Sequence, residues 1–186
     1  RRQRQMCIRD RSKSSDSVTI PTLQEVIDGR CDANIGIWAA ASKSLQHQYI
    51  LRLRWEMNTN SSTWGGAHNF GKDSNQTWNQ ADNLNRYYGD PSRPDGPERY
   101  VDAWRRVRRI FREQGATNVL FLWSPLYDNY PNEKWNEAEN YYPGDDCVDL
   151  VGCSLYNEGY WEEEGGHGKW WRDFEDIFQK EPVKIY

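Results

Sequence analysis

Residues 97–125, PERYVDAWRRVRRIFREQGATNVLFLWSP, decide the fold class of this chain. Pro97 is typical of the first turn of a helix, and Gly115 of the residue just beyond a helix end. Between them, apolar side chains recur on one helical face, at Tyr100, Val101, Trp104, Val107 and Phe111. The apolar run NVLFLWSP, residues 118–125, then predicts a buried strand. A helix that leads directly into a buried strand is the repeating unit of parallel α/β folds.

Further segments with the patterns of strands and helices lie on both sides of residues 97–125. The run QYILRLRWE, residues 48–56, and the run VDLVGCSLYN, residues 148–157, each predict a further strand. Near the start of the chain, Thr22 is a suitable cap for one short helix and Asp32 for a second. Apolar residues between 170 and 178 predict a helix before the final run, PVKIY. Strands that alternate with helices in this way predict a parallel sheet within an α/β fold.

The composition narrows the classes of partner and cofactor. With a net charge of -4 and an isoelectric point near 5.5, the chain lacks the basic surface that nucleic acid or an anionic membrane requires. No apolar run approaches the roughly 20 residues that span a bilayer. The four cysteines lack the paired spacing of a metal site, and neither a metal nor an organic cofactor is predicted. The 10 Trp and 11 Tyr of so polar a chain instead suit a carbohydrate, whose C–H faces stack on aromatic rings.

The strand predicted at residues 48–56 ends in a side chain with catalytic potential, Glu56. Side chains alternate along a strand, so Arg52, Arg54 and Glu56 are predicted to share one face. In barrels of parallel strands the catalytic groups lie at the C-terminal strand ends, which makes Glu56 a candidate catalytic carboxylate. On position alone, an exposed cap or an ion-pair partner is the commoner role of such a glutamate.

The segment RLRWEMNTNSSTWGG, residues 52–66, resembles glycoside hydrolase family 26. In that family a strand ends with the pattern Arg-x-x-His-Glu-Met-Asn-Gly, where x is any residue, and a Trp-rich loop follows. This chain matches the pattern at Arg52, Glu56, Met57, Asn58 and Trp64. Residues 103–125 and 141–157 are similar to the family's next helix and strands, in the same order. The resemblance extends over residues 18–186.

The resemblance implies an α/β fold, namely a partial (β/α)8 TIM barrel that contains about strands four to seven. A complete barrel of this kind takes about 250 residues, more than the 186 residues of this chain. Residues 17–186 are therefore predicted to form an incomplete glycoside hydrolase barrel domain. Residues 1–16 are basic, polar and aperiodic, and are predicted to be a disordered or artefactual extension.

The resemblance also implies a retaining mechanism. One carboxyl group protonates the departing oxygen, while a second, about 5 to 5.5 Å away, attacks the anomeric carbon. Glu56 corresponds to the general acid/base, and Tyr156 corresponds to a residue that supports the nucleophile. The nucleophile itself is expected just beyond Tyr186, and residues 1–186 alone are therefore predicted to be inactive.

Substrate contacts are assigned, by the resemblance and by residue type, to Arg52, Trp55, Asn58, Trp64, Trp123 and Trp135. Trp64 and Trp123 are predicted platforms for sugar rings, and Trp135 is either another platform or a cover over its loop. Trp55 stands where the family has His. Because an indole donates one hydrogen bond and accepts none, this departure predicts an altered substrate preference.

The predicted function of the parent protein is endo-acting hydrolysis of a β-linked polysaccharide. The resemblance favours β-mannan, with β-1,3-xylan and mixed-linkage β-glucan as further substrates of the same scaffold. A polymeric substrate implies that the full-length parent is extracellular or periplasmic. A non-catalytic carbohydrate-binding barrel, which keeps aromatic platforms after losing a catalytic carboxylate, is the alternative class of function. An unrelated barrel in which Glu56 is only structural is a third.

Overall fold

The computed structural model describes residues 20–45, 47–66 and 96–156, together with Glu175. Its helices and strands follow one another as α1 (Leu23–Ile27), α2 (Asp32–Ser44), β1 (Tyr49–Leu51), α3 (Gly96–Glu113), β2 (Val119–Trp123) and β3 (Leu150–Val151). Two short 3₁₀ helices, Lys134–Asn136 and Ala138–Tyr141, lie between β2 and β3. The predictions for residues 1–16, 170–178 and 182–186 lie outside the described residues, except that Glu175 is helical.

The three strands form one parallel sheet in the order β1, β2, β3. Tyr49 pairs with Val119 at one side of β2, and Leu122 pairs with Leu150 at the other. The predicted parallel α/β arrangement is confirmed for the described residues. The strand predicted over residues 48–56 is wrong in length, since β1 ends at Leu51 and the backbone is left-handed at Arg54, where φ is 45°.

Helix α3 covers one face of the sheet and forms the core with β2. Alternate residues of β2 point to this face, so that Val119, Phe121 and Trp123 are all buried. The Phe121 ring makes edge contacts with Trp104 at 5.9 Å and with Phe111 at 5.2 Å between ring centres. Burial of each such side chain contributes about 1.5 to 3 kcal/mol. The predicted helix and strand of residues 97–125 are confirmed.

The N-terminal helices are fastened by polar contacts. As predicted, Thr22 caps α1: its hydroxyl accepts from the Glu25 N–H at 3.1 Å, and the Glu25 carboxylate accepts from the Thr22 N–H at 2.9 Å. The prediction that Asp32 caps α2 is wrong, since the cap position is Cys31. The Asp32 carboxylate instead takes two hydrogen bonds from Arg106 of α3, at 2.7 and 2.8 Å. This ion pair ties α2 to α3.

The Asp32–Arg106 pair predicts a pH-dependent stability. The hydrogen bonds from Arg106 lower the pKa of Asp32 below its ordinary value of 3.8. Its stabilising contribution is therefore complete above about pH 5 and is lost as the pH falls through the lowered pKa. We expect Asp32→Asn to lower the free energy of unfolding of the intact protein by about 1 to 2 kcal/mol at pH 7, since solvent screens this partly exposed carboxylate. Urea titrations of both proteins at several pH values measure the difference.

Asp146→Asn is the matched control. Asp146 forms the same two-pronged pair with Arg105, at 2.8 and 2.9 Å, but its side chain is 57% exposed. We expect this control to cost less than about 1 kcal/mol. An equal loss for both variants, or a difference at Asp32 that persists at pH 2, would contradict the structural role of the buried arginine.

Candidate active site

The backbone is unusual where the chain leaves β1. Arg54 and Glu56 both have positive φ, at 45° and 55°, although neither is glycine. The N–H of Glu56 donates to the carbonyl of Ser124 at 2.9 Å, which holds this turn against the end of β2. Non-glycine residues in the left-handed region cost about 1 to 3 kcal/mol each and cluster at functional sites. The strain therefore marks the turn that carries Glu56 as a candidate site.

The Glu56 carboxyl, which follows β1, is held by a tyrosine that follows β3, the strand at the opposite edge of the sheet. The Tyr156 hydroxyl, 100 residues further along the chain, donates to Oε1 of Glu56 at 2.8 Å. This hydrogen bond and partial burial raise the pKa of Tyr156, so the phenol keeps its proton at neutral pH. The structure thus brings the two predicted catalytic residues together at the C-terminal ends of the strands. Tyr156 supports the candidate acid/base here, whereas the resemblance assigns it to the nucleophile.

Arg52 lies beside this carboxyl. Its Nη2 is 3.9 Å from Oε1 of Glu56 and donates to the hydroxyl of Ser124 at 3.0 Å and to the hydroxyl of Ser154. Both serines are buried, at 3% and 8% exposure. Neither serine was predicted from the sequence. Their signal is position, because each follows a strand at the same sheet edge as Glu56.

Arg54 does not join this cluster, and the prediction that it shares a face with Arg52 and Glu56 is wrong. Its guanidinium donates to the carbonyl of Pro21 at 2.8 Å and lies 5.9 Å from the centre of the Trp64 ring. The left-handed backbone at Arg54 interrupts the alternation on which the prediction depended.

The tryptophans after β1 pack against each other. The rings of Trp55 and Trp64 meet edge to face at 5.3 Å, and the Trp64 N–H donates to the Trp55 carbonyl at 2.8 Å. Trp64 is only 9% exposed, and Trp55 is partly buried with the Arg52 guanidinium 5.5 Å from its ring centre. Burial leaves Trp64 little open ring surface for a sugar. In the described structure Trp64 supports Trp55, and its role as a sugar platform stays a prediction.

Trp123 and Trp135 lie in different surroundings. Trp123 is 1% exposed and packs on the helix-facing side of β2, against Tyr142 at 5.1 Å. Its predicted role as a sugar platform is corrected to one in the core, because strand alternation directs it away from the face that bears Ser124. Trp135 is partly buried in the loop after β2, and its contact with sugar stays a prediction.

Asn58 is fully engaged in holding loops together. Its side-chain amide donates to the carbonyls of Leu126 and Asp128 at 2.9 and 3.0 Å and accepts from the Leu126 N–H at 2.9 Å. Its backbone carbonyl accepts from Tyr130 N–H and from the Asn136 amide. With 1% exposure, Asn58 cannot offer this amide to a substrate. The predicted substrate contact is corrected to a structural role two residues from Glu56.

The same loops meet at Gly66. Its N–H donates to the Met57 carbonyl at 3.0 Å, and a Cβ built at Gly66 would overlap the Tyr141 hydroxyl. We expect Gly66→Ala to destabilise the intact protein by about 1 to 3 kcal/mol, because a packed interior has no room for the added methyl group. Thermal unfolding measures the loss.

Gly36→Ala is the matched control for this substitution. Gly36 lies inside α2, and the nearest atom to a Cβ there is Gln114 Nε2 at 4.0 Å. Alanine favours a helix interior over glycine, so we expect about 0.5 to 1 kcal/mol of stabilisation. Equal effects of the two substitutions would contradict the close packing at Gly66.

Comparison with known proteins decides the family. The sequence profile described as glycosyl hydrolase family 26 matches residues 76–183, more than half of the chain. This chain belongs to glycosyl hydrolase family 26. Endoglucanase H of Acetivibrio thermocellus is 34% identical over 92 residues, which are 50% of this chain and 10% of that protein. The chain thus spans only a small part of the length of the relative that it matches.

The profile match includes Tyr156 but begins after Arg52 and Glu56. These two residues are connected to the matched region by geometry, through the hydrogen bonds of Tyr156 to Glu56 and of Arg52 to Ser124 and Ser154. The family implies a (β/α)8 barrel, and the described residues form a three-stranded parallel sheet with helices. The assignment of these strands to positions four to seven of a barrel stays a prediction.

The described ranges contain neither a candidate metal site nor a candidate membrane span. There, no group of three or more His, Cys, Asp and Glu side chains is placed to hold a metal ion. Among the same residues, no helix has both the length and the apolar character needed to cross a membrane.

Proposed function

We propose that the intact protein is a retaining glycoside hydrolase in which Glu56 is the general acid/base. The observation that carries the proposal is the 2.8 Å hydrogen bond from Tyr156 to Oε1 of Glu56 at the C-terminal edge of a parallel sheet. Family membership and the two strained residues at the strand end support it. The predicted roles of Trp55 and Trp135 in binding the substrate are part of this proposal.

The proposed reaction has two steps. Glu56 first gives its proton to the departing glycosidic oxygen while a second carboxylate attacks the anomeric carbon. Glu56 then removes a proton from water, which releases the sugar from the enzyme with its original configuration. The second carboxylate is proposed to follow the run PVKIY, as the family resemblance implies. We therefore expect catalysis from the longer parent protein and none from residues 1–186 alone.

The proposed substrate is β-mannan, cleaved within the chain. The likeness to an endoglucanase supports β-glucan as a second candidate. Trp55, at the position of the family's His, bears on this choice because an indole recognises sugar hydroxyls through a single donor. Since neither polymer enters a cell, export of the parent protein is part of the proposal.

A panel of polysaccharides tests the substrate. We expect the intact protein to convert galactomannan into a ladder of oligosaccharides, with slower release from barley mixed-linkage β-glucan and from β-1,3-xylan. Chromatography of the products over time measures endo action. Faster cleavage of β-glucan would reverse the order of the two candidates. Binding of a polysaccharide without any cleavage would favour the non-catalytic carbohydrate-binding barrel.

A further inference from the structure

The guanidinium of Arg52 is fixed independently of Glu56. Its Nη2 carries two hydrogens, and both serine hydroxyls accept from this one nitrogen. Ser124 follows β2 and Ser154 follows β3, so Arg52 joins the ends of all three strands. The face of Trp55, 5.5 Å from the guanidinium carbon, lies against the same group. The cation is therefore held in place whether Glu56 is charged or neutral.

The two oxygens of Glu56 differ because of this arrangement. Oε1 accepts the hydrogen bond of Tyr156 and lies 3.9 Å from Nη2 of Arg52, a distance at which the attraction is electrostatic rather than a hydrogen bond. A proton on Oε1 would face both a hydrogen-bond donor and a cation. Protonation of the carboxyl is therefore favoured on the other oxygen, Oε2.

We propose that Arg52 is a positioning residue which, pinned by Ser124 and Ser154, orients the Glu56 carboxyl so that the catalytic proton resides on Oε2. This inference rests on the proposed glycosidase function and replaces the predicted substrate contact of Arg52. Tyr156 and Arg52 have distinct parts, since Tyr156 fixes the direction of Oε1 and Arg52 supplies a permanent charge beside it. Lysine is expected to reproduce the part of Arg52 only incompletely, because its ammonium ends a flexible stem and lacks the planar guanidinium that lies against the Trp55 ring.

Kinetics of the intact protein with two leaving groups test the inference. The substrates are phenyl glycosides, which need acid assistance, and 2,4-dinitrophenyl glycosides, which do not, each as the β-mannobioside and the β-cellobioside. We expect Arg52→Met to lower kcat/KM for the phenyl glycoside by about 10- to 100-fold, since a displaced acid loses much of its effect. The dinitrophenyl glycoside is expected to change less than about 3-fold, and KM to stay near that of the wild type.

Three further variants test whether the effect depends on the guanidinium and on the two serine hydroxyls that hold it. Arg52→Lys is expected to recover only part of the loss, and the double variant Ser124→Ala with Ser154→Ala is expected to show the same dependence on leaving group as Arg52→Met. Arg105→Met is the control, because Arg105 is another arginine beside a carboxylate, that of Asp146, but it lies on α3. It is expected to retain wild-type kinetics with both substrates.

The outcomes separate this inference from the proposed function. An equal loss with both leaving groups, or a raised KM at constant kcat, would overturn the positioning role and return Arg52 to substrate binding. Unchanged kinetics of Arg52→Met in an enzyme that Glu56→Ala inactivates would also overturn it, while leaving the proposed function intact. An intact protein that cleaves neither glycoside would remove the proposed function, and the inference with it.

Discussion

Glu56→Ala in the intact protein is expected to lower kcat on polysaccharide by about 10² to 10⁴-fold, the usual contribution of a positioned general acid. The Glu56 side chain is only 15% exposed and accepts a hydrogen bond from Tyr156. The substitution therefore removes the proposed acid/base but no side chain of the hydrophobic core. Thermal unfolding is expected to stay close to that of the wild type. Initial rates on the polysaccharide and a melting curve measure the two quantities.

Glu113→Ala provides the control for the loss of a carboxylate. Glu113 ends α3, is 62% exposed, and lies 3.6 Å from Arg109 on the same helix. Such exposed pairs contribute less than about 1 kcal/mol, and no change in rate is expected. A Glu56→Ala protein that retains most of its activity, or one that fails to fold, would make Glu56 a structural residue.

The second large effect is expected from Asn58→Ala, in stability rather than chemistry. The substitution deprives the carbonyls of Leu126 and Asp128 and the N–H of Leu126 of their partner. Each buried polar group left without a partner costs about 1 to 3 kcal/mol, so a total loss of roughly 3 to 5 kcal/mol is expected. Urea unfolding measures it, and activity is expected to fall in parallel as the loops beside Glu56 loosen.

Asn140→Ala is the matched control for Asn58. Its amide also donates to two carbonyls, those of Lys134 and Trp135, at 2.8 and 3.2 Å, but the residue is exposed. Water replaces the lost donors there, so a cost under about 1 kcal/mol is expected. Similar losses at both positions would show that burial of the Asn58 amide does not matter.

Elements with local signals were predictable from the sequence. The helix and strand of residues 97–125 depend on the spacing of apolar residues and on Gly115, both of which are local. The same holds for the Thr22 cap, whose partner Glu25 is three residues away. The position of Glu56 after a strand was predicted from the local run of residues 48–56 together with the family resemblance.

Roles set by distant contacts were not predictable in this way. Asp32 has the sequence signature of a cap, but the better partner is Arg106, 74 residues away. Asn58 matches a family position, but its side-chain amide is hydrogen-bonded to a loop whose proximity the sequence does not reveal. The correction at Trp123 has another cause, since a run that is apolar on both faces does not reveal which face meets the helix.

The most direct test of Glu56 as acid/base is the product formed by Glu56→Ala in the presence of azide. The small anion can attack the covalent sugar intermediate without base assistance, so we expect faster turnover of the 2,4-dinitrophenyl glycoside and a β-glycosyl azide. The anomeric configuration is read by proton NMR. A β-azide would establish both retention and the role of Glu56. An α-azide, which arises when the missing group is the nucleophile, or the absence of any azide product with unchanged rates, would contradict the assignment.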